Sequence, residues 1–177
     1  MLLTSKRGFT LIELLVVISI IGLLSSIVLG SVNSARAKTE NTQRNQIAAE
    51  YVKALALVYD SNNETYPDTG SIVNIYCLGD YPTLGVYTDT NVCGYSGNSE
   101  SAIVNNAVAV YLKALPVMKP VTNIFTAVYK GPTYRCASTP CKSAVVSWSL
   151  QGVGQQCIKG AASSNSLGLT VCTLTLN

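Results

Sequence analysis

The sequence contains no histidine, and charged residues make up only 12% of its 177 positions. Without imidazole the commonest general base and the commonest metal ligand are missing, which excludes Ser-His-Asp and Cys-His catalysis and lowers the case for zinc chemistry. Acids are absent from a whole stretch. All nine carboxylates lie at or before Glu100, while Lys113, Lys119, Lys130, Arg135, Lys142 and Lys159 follow with none among them. That asymmetry reads either as a basic face for nucleic acid or another polyanion, or as a lightly charged surface whose acids sit upstream. Six cations without an Arg cluster favour the second reading. Asp60, Glu64 and Asp68 have helical spacing, yet Asn62, Asn63 and Pro67 argue for a solvated turn there. Gly152-Val153-Gly154 lacks the third glycine and the βαβ setting of a nucleotide cradle, and reads as a turn.

What is present starts with size: one modest domain plus an N-terminal anchor. Net charge is only +3, and loss of Lys6 and Arg7 would bring the side-chain total to +1, so overall charge points to no partner. Cys77, Cys93, Cys136, Cys141, Cys157 and Cys172 all lie downstream of the long apolar run. An even count confined to an exportable region reads as disulfides in an oxidising compartment. A metal site is the rival, but no paired C-x-x-C knuckles occur and there is no His to complete a mixed site. Six cysteines allow about fifteen pairings. Sequential pairing (Cys77–Cys93, Cys136–Cys141, Cys157–Cys172) is expected because short loops close at the smallest entropic cost.

The N-terminus reads Lys6-Arg7-Gly8-Phe9-Thr10-Leu11-Ile12-Glu13-Leu14-Leu15-Val16-Val17-Ile18, a basic leader running into an apolar span with one early carboxylate. From Phe9 to Val32 only Thr10, Glu13 and scattered Ser and Gly interrupt it. As a helix this stretch would be about 36 Å long, enough to cross a ~30 Å hydrocarbon core. A cleaved secretory signal, with Ala35-Arg36-Ala37 as its A-x-A-like site, calls for a shorter apolar region. A plain single-pass anchor would be oriented by Lys6 and Arg7 on the cytoplasmic side. Neither explains an acid inside the span, since ionisable groups there are retained where a partner awaits them.

The pattern resembles the leader and first helix of type IV pilins and their relatives, the pseudopilins of type II secretion and the competence pilins. The resemblance is dense from Met1 to about Ser34 and loose afterwards. It implies cleavage by a prepilin peptidase after Gly8, N-methylation of Phe9, and a leader held in the cytoplasm by Lys6 and Arg7. It also gives Glu13 an assembly role, pairing with the new α-amine of a neighbouring subunit. The function implied is that of a structural subunit of a type IV pilus-like extracellular filament. The alternatives are a pseudopilin of a type II secretion system and a DNA-binding competence or minor pilin. Partners would be the peptidase, identical or related pilin subunits in a helical filament, the inner-membrane assembly platform and the membrane. No enzymatic activity, cofactor or metal is implied. The precursor would be a single-pass inner-membrane protein and the assembled product a cell-surface filament. Many pilins carry a helix-breaking proline near the place where this chain has Gly30.

Three segments are expected: a leader over 1–8, a transmembrane or filament-core half-helix over 9–32, and a head over 33–177 that includes the amphipathic second half of the helix. Ile47, Tyr51, Leu55 and Val58 recur at spacings of four, four and three, an apolar stripe suited to a sheet. Asn62-Asn63 ends the helix, and Tyr66-Pro67 begins extended chain. Beyond it, Ser71–Cys77 reads as a strand and Leu78–Asn98 as a turn-rich loop. A second helix is expected from about Glu100 to Leu115, capped by Ser99 or Ser101. Phe125–Tyr129, Thr133–Cys136, Ala144–Gln151 and Val171–Leu176 read as strands, with Val146, Trp148 and Leu150 on one face. Ala161–Ser166 reads as a small-residue loop. The fold class expected is α+β and type IV pilin-like: a long N-terminal helix, its membrane half protruding, packed on an antiparallel sheet.

Overall fold

The computed structural model describes residues 8–81, 92–93, 100–125 and 128–177. The chain divides into two compact units, Met1–Thr39 and Glu40–Asn177. One helix, α1 (Leu11–Ser61), runs unbroken through Gly22 and Gly30. Up to Val32 it is apolar apart from Glu13, four serines and two glycines. From Glu40 onward the helix instead buries a stripe at Asn41, Arg44, Ala48, Tyr51, Leu55 and Val58. Those steps of three and four keep one face towards the head, as a 3.6-residue repeat requires. Asn63 and Glu64 then adopt left-handed φ values of 50° and 54°, and the chain turns away.

Among the described residues nine short elements follow α1. After α1 come β1 (Tyr76–Cys77), β2 (Val92–Cys93), α2 (Ala102–Ala109), β3 (Val121–Thr122), β4 (Val128–Lys130), β5 (Thr133–Cys136), β6 (Ala144–Gln151), β7 (Ala162–Ser166) and β8 (Leu169–Leu176). Five strands form an antiparallel sheet in the order β1-β5-β6-β8-β7. A smaller sheet, β2-β4-β3, mixes a parallel and an antiparallel pair. Strand β6 buries Ala144, Val146, Trp148 and Leu150 in strict alternation. These side chains join Tyr134, Cys136 and Cys172 against Ala48, Tyr51, Leu55 and Val58 of α1 in a single core. The α+β architecture is thus a helix laid on one face of an antiparallel sheet.

Polar side chains fasten the helix to the central strand β6 and the chain just after it. Trp148 Nε1 donates to Asn45 Oδ1 at 2.8 Å, and Asn45 Nδ2 donates to the Gln156 carbonyl at 2.8 Å. Asn41 brackets Gln151, accepting from its backbone N–H at 2.8 Å and donating to its carbonyl at 2.9 Å. Cys136 is bonded to Cys141 and Cys157 to Cys172, with Cα–Cα separations of 5.6 and 5.7 Å. Closing a loop of that second size contributes about 3 kcal/mol in the chain-entropy picture. Cys77 is buried and disulfide-bonded; the expected Cys77–Cys93 pair involves a side chain outside the described residues.

Several element boundaries differ from the expectation, each for a local reason. The second helix is only Ala102–Ala109, capped by Ser101, whose hydroxyl accepts from the Val104 N–H. Ser99 lies outside the described residues. The strand expected over Ser71–Cys77 shrinks to Tyr76–Cys77 because the Ser71 hydroxyl takes the N–H groups of Val73 and Asn74 into a bend. Asn123 Oδ1 accepts from Phe125 N–H at 2.9 Å, an Asx turn, so Phe125 at the start of the expected strand is a turn residue, and the described strand is Val128–Lys130. All but the first residue of the expected loop Ala161–Ser166 is strand, β7. A two-residue turn, Leu167-Gly168, pairs Ser166 with Leu169, with φ values of 51° and 80°. That left-handed pair matches the twist of a tight hairpin, and edge pairing overrides the low strand preference of Ala, Ser and Asn.

Candidate processing and assembly site

The first unit begins at Gly8, whose backbone stands open: a Cβ placed there would meet nothing within 4 Å. Phe9 follows at 79% exposure. One turn later Thr10 and Glu13 close a reciprocal cap on α1. Glu13 Oε2 accepts from the Thr10 backbone N–H at 2.9 Å and from its hydroxyl at 2.7 Å, while Thr10 Oγ1 accepts from Glu13 N–H at 3.3 Å. This is the capping box, in which a Thr and a Glu three residues apart satisfy donors that a helix start leaves orphaned. The carboxylate also lies at the positive end of the helix dipole.

From Phe9 to Val32 every large apolar side chain is exposed. An apolar surface of that extent exceeds what soluble monomers present and calls for lipid or other helices around it. Three of the serine hydroxyls within it find acceptors on the helix itself. Ser19 donates to the Leu15 carbonyl at 2.8 Å, Ser26 to Leu23 at 2.8 Å and Ser31 to Val28 at 2.9 Å. Such back-bonding keeps polar atoms satisfied where no water is available. Gly22 has no neighbour within 4 Å of a would-be Cβ, leaving a notch on the helix surface.

The structure thus brings Gly8, Phe9 and Glu13 to one end of one helix; Lys6 and Arg7 lie outside the described residues. Thr10 was missed by the sequence reasoning, although the spacing Thr10-Leu11-Ile12-Glu13 is the capping-box signature. The cysteines are remote in sequence from this end and belong to the second unit.

Among the described residues one helix is long and apolar enough to cross a membrane, and it lies near the N-terminus. With the α+β head, that defines a class: a protein fit to be a membrane-anchored precursor carrying a disulfide-bonded head. Residues 3–29 match the family model for the prokaryotic N-terminal methylation motif, the prepilin signal of type IV pilins and pseudopilins. No curated protein and no solved structure matches the chain. The motif supports a type IV pilin-like or pseudopilin protein, points to a structural rather than an enzymatic role, and implies processing by a prepilin peptidase and assembly into pilin filaments.

Proposed function

We propose that the chain is a structural subunit of a type IV pilus-like extracellular filament, cut after Gly8, methylated at Phe9 and polymerised through α1. The observation that carries this reading is the capped carboxylate of Glu13 at the head of a fully exposed apolar helix, one turn from the Gly8–Phe9 bond. Gly8 suits the cut because a residue without a side chain lets a protease approach the backbone closely. Cleavage there leaves Thr10 and its N–H in place, so the cap survives into the mature chain. Thr10 occupies Oε2 alone, which leaves Oε1 to meet the α-amine that cleavage creates on a neighbouring subunit. A correctly staggered pair then selects one register among helices that are otherwise uniformly apolar, since a misplaced register strands a charge in an apolar core. Subunits leave the bilayer because the filament interior offers similar apolar surroundings together with a paired carboxylate.

The test is mass spectrometry of filaments sheared from the cell surface. A subunit starting at methylated Phe9 and abundant in the sheared fraction is expected. A mature chain found only in the cell envelope would place it in a secretion apparatus instead, and a product starting elsewhere would overturn the assignment. Gly8→Val should leave the leader attached in the same measurement.

A further inference from the structure

Several stretches of chain meet at the end of the five-stranded sheet where β6 finishes. Asn41, near the start of the second unit, holds the Gln151 backbone and donates to Gln155 Oε1 at 3.1 Å, which fixes the 152–155 turn beside α1. Gln151 Nε2 reaches the Thr122 carbonyl at 3.4 Å, and the Gly154 N–H donates to Asn165 Oδ1 at 2.9 Å. The Ile124 N–H donates to the Leu167 carbonyl at 3.1 Å. Ile124 lies so close over the β7–β8 turn that a Cβ on Gly168 would come 2.6 Å from its Cγ2. Asn41, the 152–155 turn, the chain after β3 and the β7–β8 turn therefore share one end of the head.

Three large apolar side chains stand out from that end. Ile124 is 68% exposed, Phe125 69% and Val153 60%. The segments 119–125, 151–155 and 165–170 carry one cation, Lys119, and no carboxylate. Lys119 is itself held by Glu40 at 2.6 Å. Charge therefore neither draws a charged partner to this end nor keeps an apolar one away. Exposed Val110 lies at the other end of the head, since its neighbour Tyr111 donates to Ser61 Oγ at 2.8 Å. Ser61 and Asn41 are separated by about 30 Å of α1.

The course of the chain says what these side chains meet. Asn41 is nine residues from Val32, where the membrane-crossing apolar run ends. Nine residues span about 32 Å at most, even fully extended. The end carrying Ile124, Phe125 and Val153 is thus tethered close to the bilayer surface. Contact by a tethered group is intramolecular, so even a weak affinity for the interface suffices.

We propose that Ile124, Phe125 and Val153 form a membrane-contact surface, which seats the head on the bilayer while the subunit is anchored there. The three side chains enter the boundary between headgroups and acyl chains, where aromatic and aliphatic groups are favoured. A second copy of the chain is a poorer occupant. The three residues stand on separate turns, and a protein interface needs a larger surface of complementary shape, whereas lipid moulds itself to separate apolar points. The inference rests on the membrane-anchored precursor and is independent of what the assembled filament does.

The experiment uses the full chain in nanodiscs of phosphatidylcholine brominated high on its acyl chains, with unbrominated discs as reference. Phe125→Trp, Val110→Trp and Ile20→Trp each add one emitter, and the Trp148 emission of the unaltered chain is subtracted. Ile20→Trp reports the anchor and should be quenched. Phe125→Trp should be quenched at least about threefold more than Val110→Trp, as seating at the headgroup boundary requires. Adding Ile124→Asn and Val153→Asn should cut the Phe125→Trp quenching at least about twofold, with thermal melting verifying that the head stays folded. Quenching at Ile20→Trp with no difference between Phe125→Trp and Val110→Trp would overturn the proposal and leave the anchor standing. No quenching at Ile20→Trp would overturn the anchor, and the proposal with it. Shielding of Phe125→Trp from iodide only when more than one chain shares a disc would assign the surface to a second copy and overturn the lipid contact.

Discussion

Arg44 gives the sharpest test of how α1 is held to the head, because it is a charged residue only 3% exposed. Its guanidinium donates to Asn41 Oδ1 at 3.1 Å, to the Lys119 carbonyl at 3.2 Å and to the Pro120 carbonyl at 3.4 Å. Glu40 lies 3.7 Å away, but its other carboxylate oxygen is held by Lys119 at 2.6 Å and would remain paired without Arg44. Burial pushes the Arg44 pKa down, and Glu40 offsets only part of that. Arg44→Met therefore removes a desolvated charge as well as its contacts. Hydrogen bonds to a charged donor are worth about 1.5–3 kcal/mol each, but these share one group and do not add. Relief of desolvation subtracts from the sum, since a buried ion replaced by an apolar side chain can be nearly neutral. The backbone carbonyls left behind cannot be relieved that way. A net loss of about 2–4 kcal/mol follows, or roughly 4–16 °C in Tm for a chain of this size. The assay is thermal melting followed by tryptophan fluorescence. Trp148 is the sole tryptophan and hydrogen-bonds Asn45, the residue next to Arg44. Arg44→Lys should recover little, because an ammonium cannot reach the same three acceptors. An Arg44→Met variant melting at or above the wild-type temperature would show that desolvation outweighs the contacts and refute this account.

Glu13→Gln keeps a residue competent for the capping box but removes its charge, whereas Thr10→Val removes the capping hydroxyl, leaves the backbone N–H on Glu13 and keeps the charge. Sheared-filament yield should collapse for the first and fall only partly for the second, with leader removal intact in both by mass spectrometry; the reverse order would count against amine pairing. Tyr51 and Tyr134, both wholly buried, donate to the Pro116 and Pro67 carbonyls at 2.8 and 2.7 Å, and burial raises both pKa values. The folded state then holds protons that the unfolded state releases above about pH 10, so stability is complete below that pH and falls by about 1.4 kcal/mol per unit per tyrosine above it. Denaturant titrations from pH 8 to alkaline should show that loss reduced by about 1.4 kcal/mol per pH unit in Tyr134→Phe, and an equal slope in that variant would contradict the linkage.

The legible parts were those set by strong local signals. The apolar run, the Ala144–Gln151 strand with its alternating Val146, Trp148 and Leu150, and the helix end at Asn62-Asn63 all appear where periodicity and turn chemistry placed them. The helix stripe was only half legible. Ala48, Tyr51, Leu55 and Val58 carry apolar signal, but the same face continues through Asn41 and Arg44, which composition assigns to solvent. Their burial depends on backbone acceptors 75 and 110 positions away, Lys119 and Gln151, and no local pattern announces those. Strand β7 was hidden for the opposite reason. Its Ala, Ser and Asn residues have little strand preference, and pairing with β8 through a Leu-Gly turn imposes the conformation.

The N-terminal cap bears on a timing problem in the filament reading. A carboxylate in an apolar span needs a partner at every stage, yet the amine that pairs with it in a filament does not exist before cleavage. Thr10 resolves this within the chain: two donors from one residue and the helix dipole hold the acid while the precursor waits in the membrane. Cleavage then adds an amine to a carboxylate already oriented. On the filament function proposed above, assembly is thereby switched by the appearance of a charge on one subunit, with no rearrangement of the acid on the next.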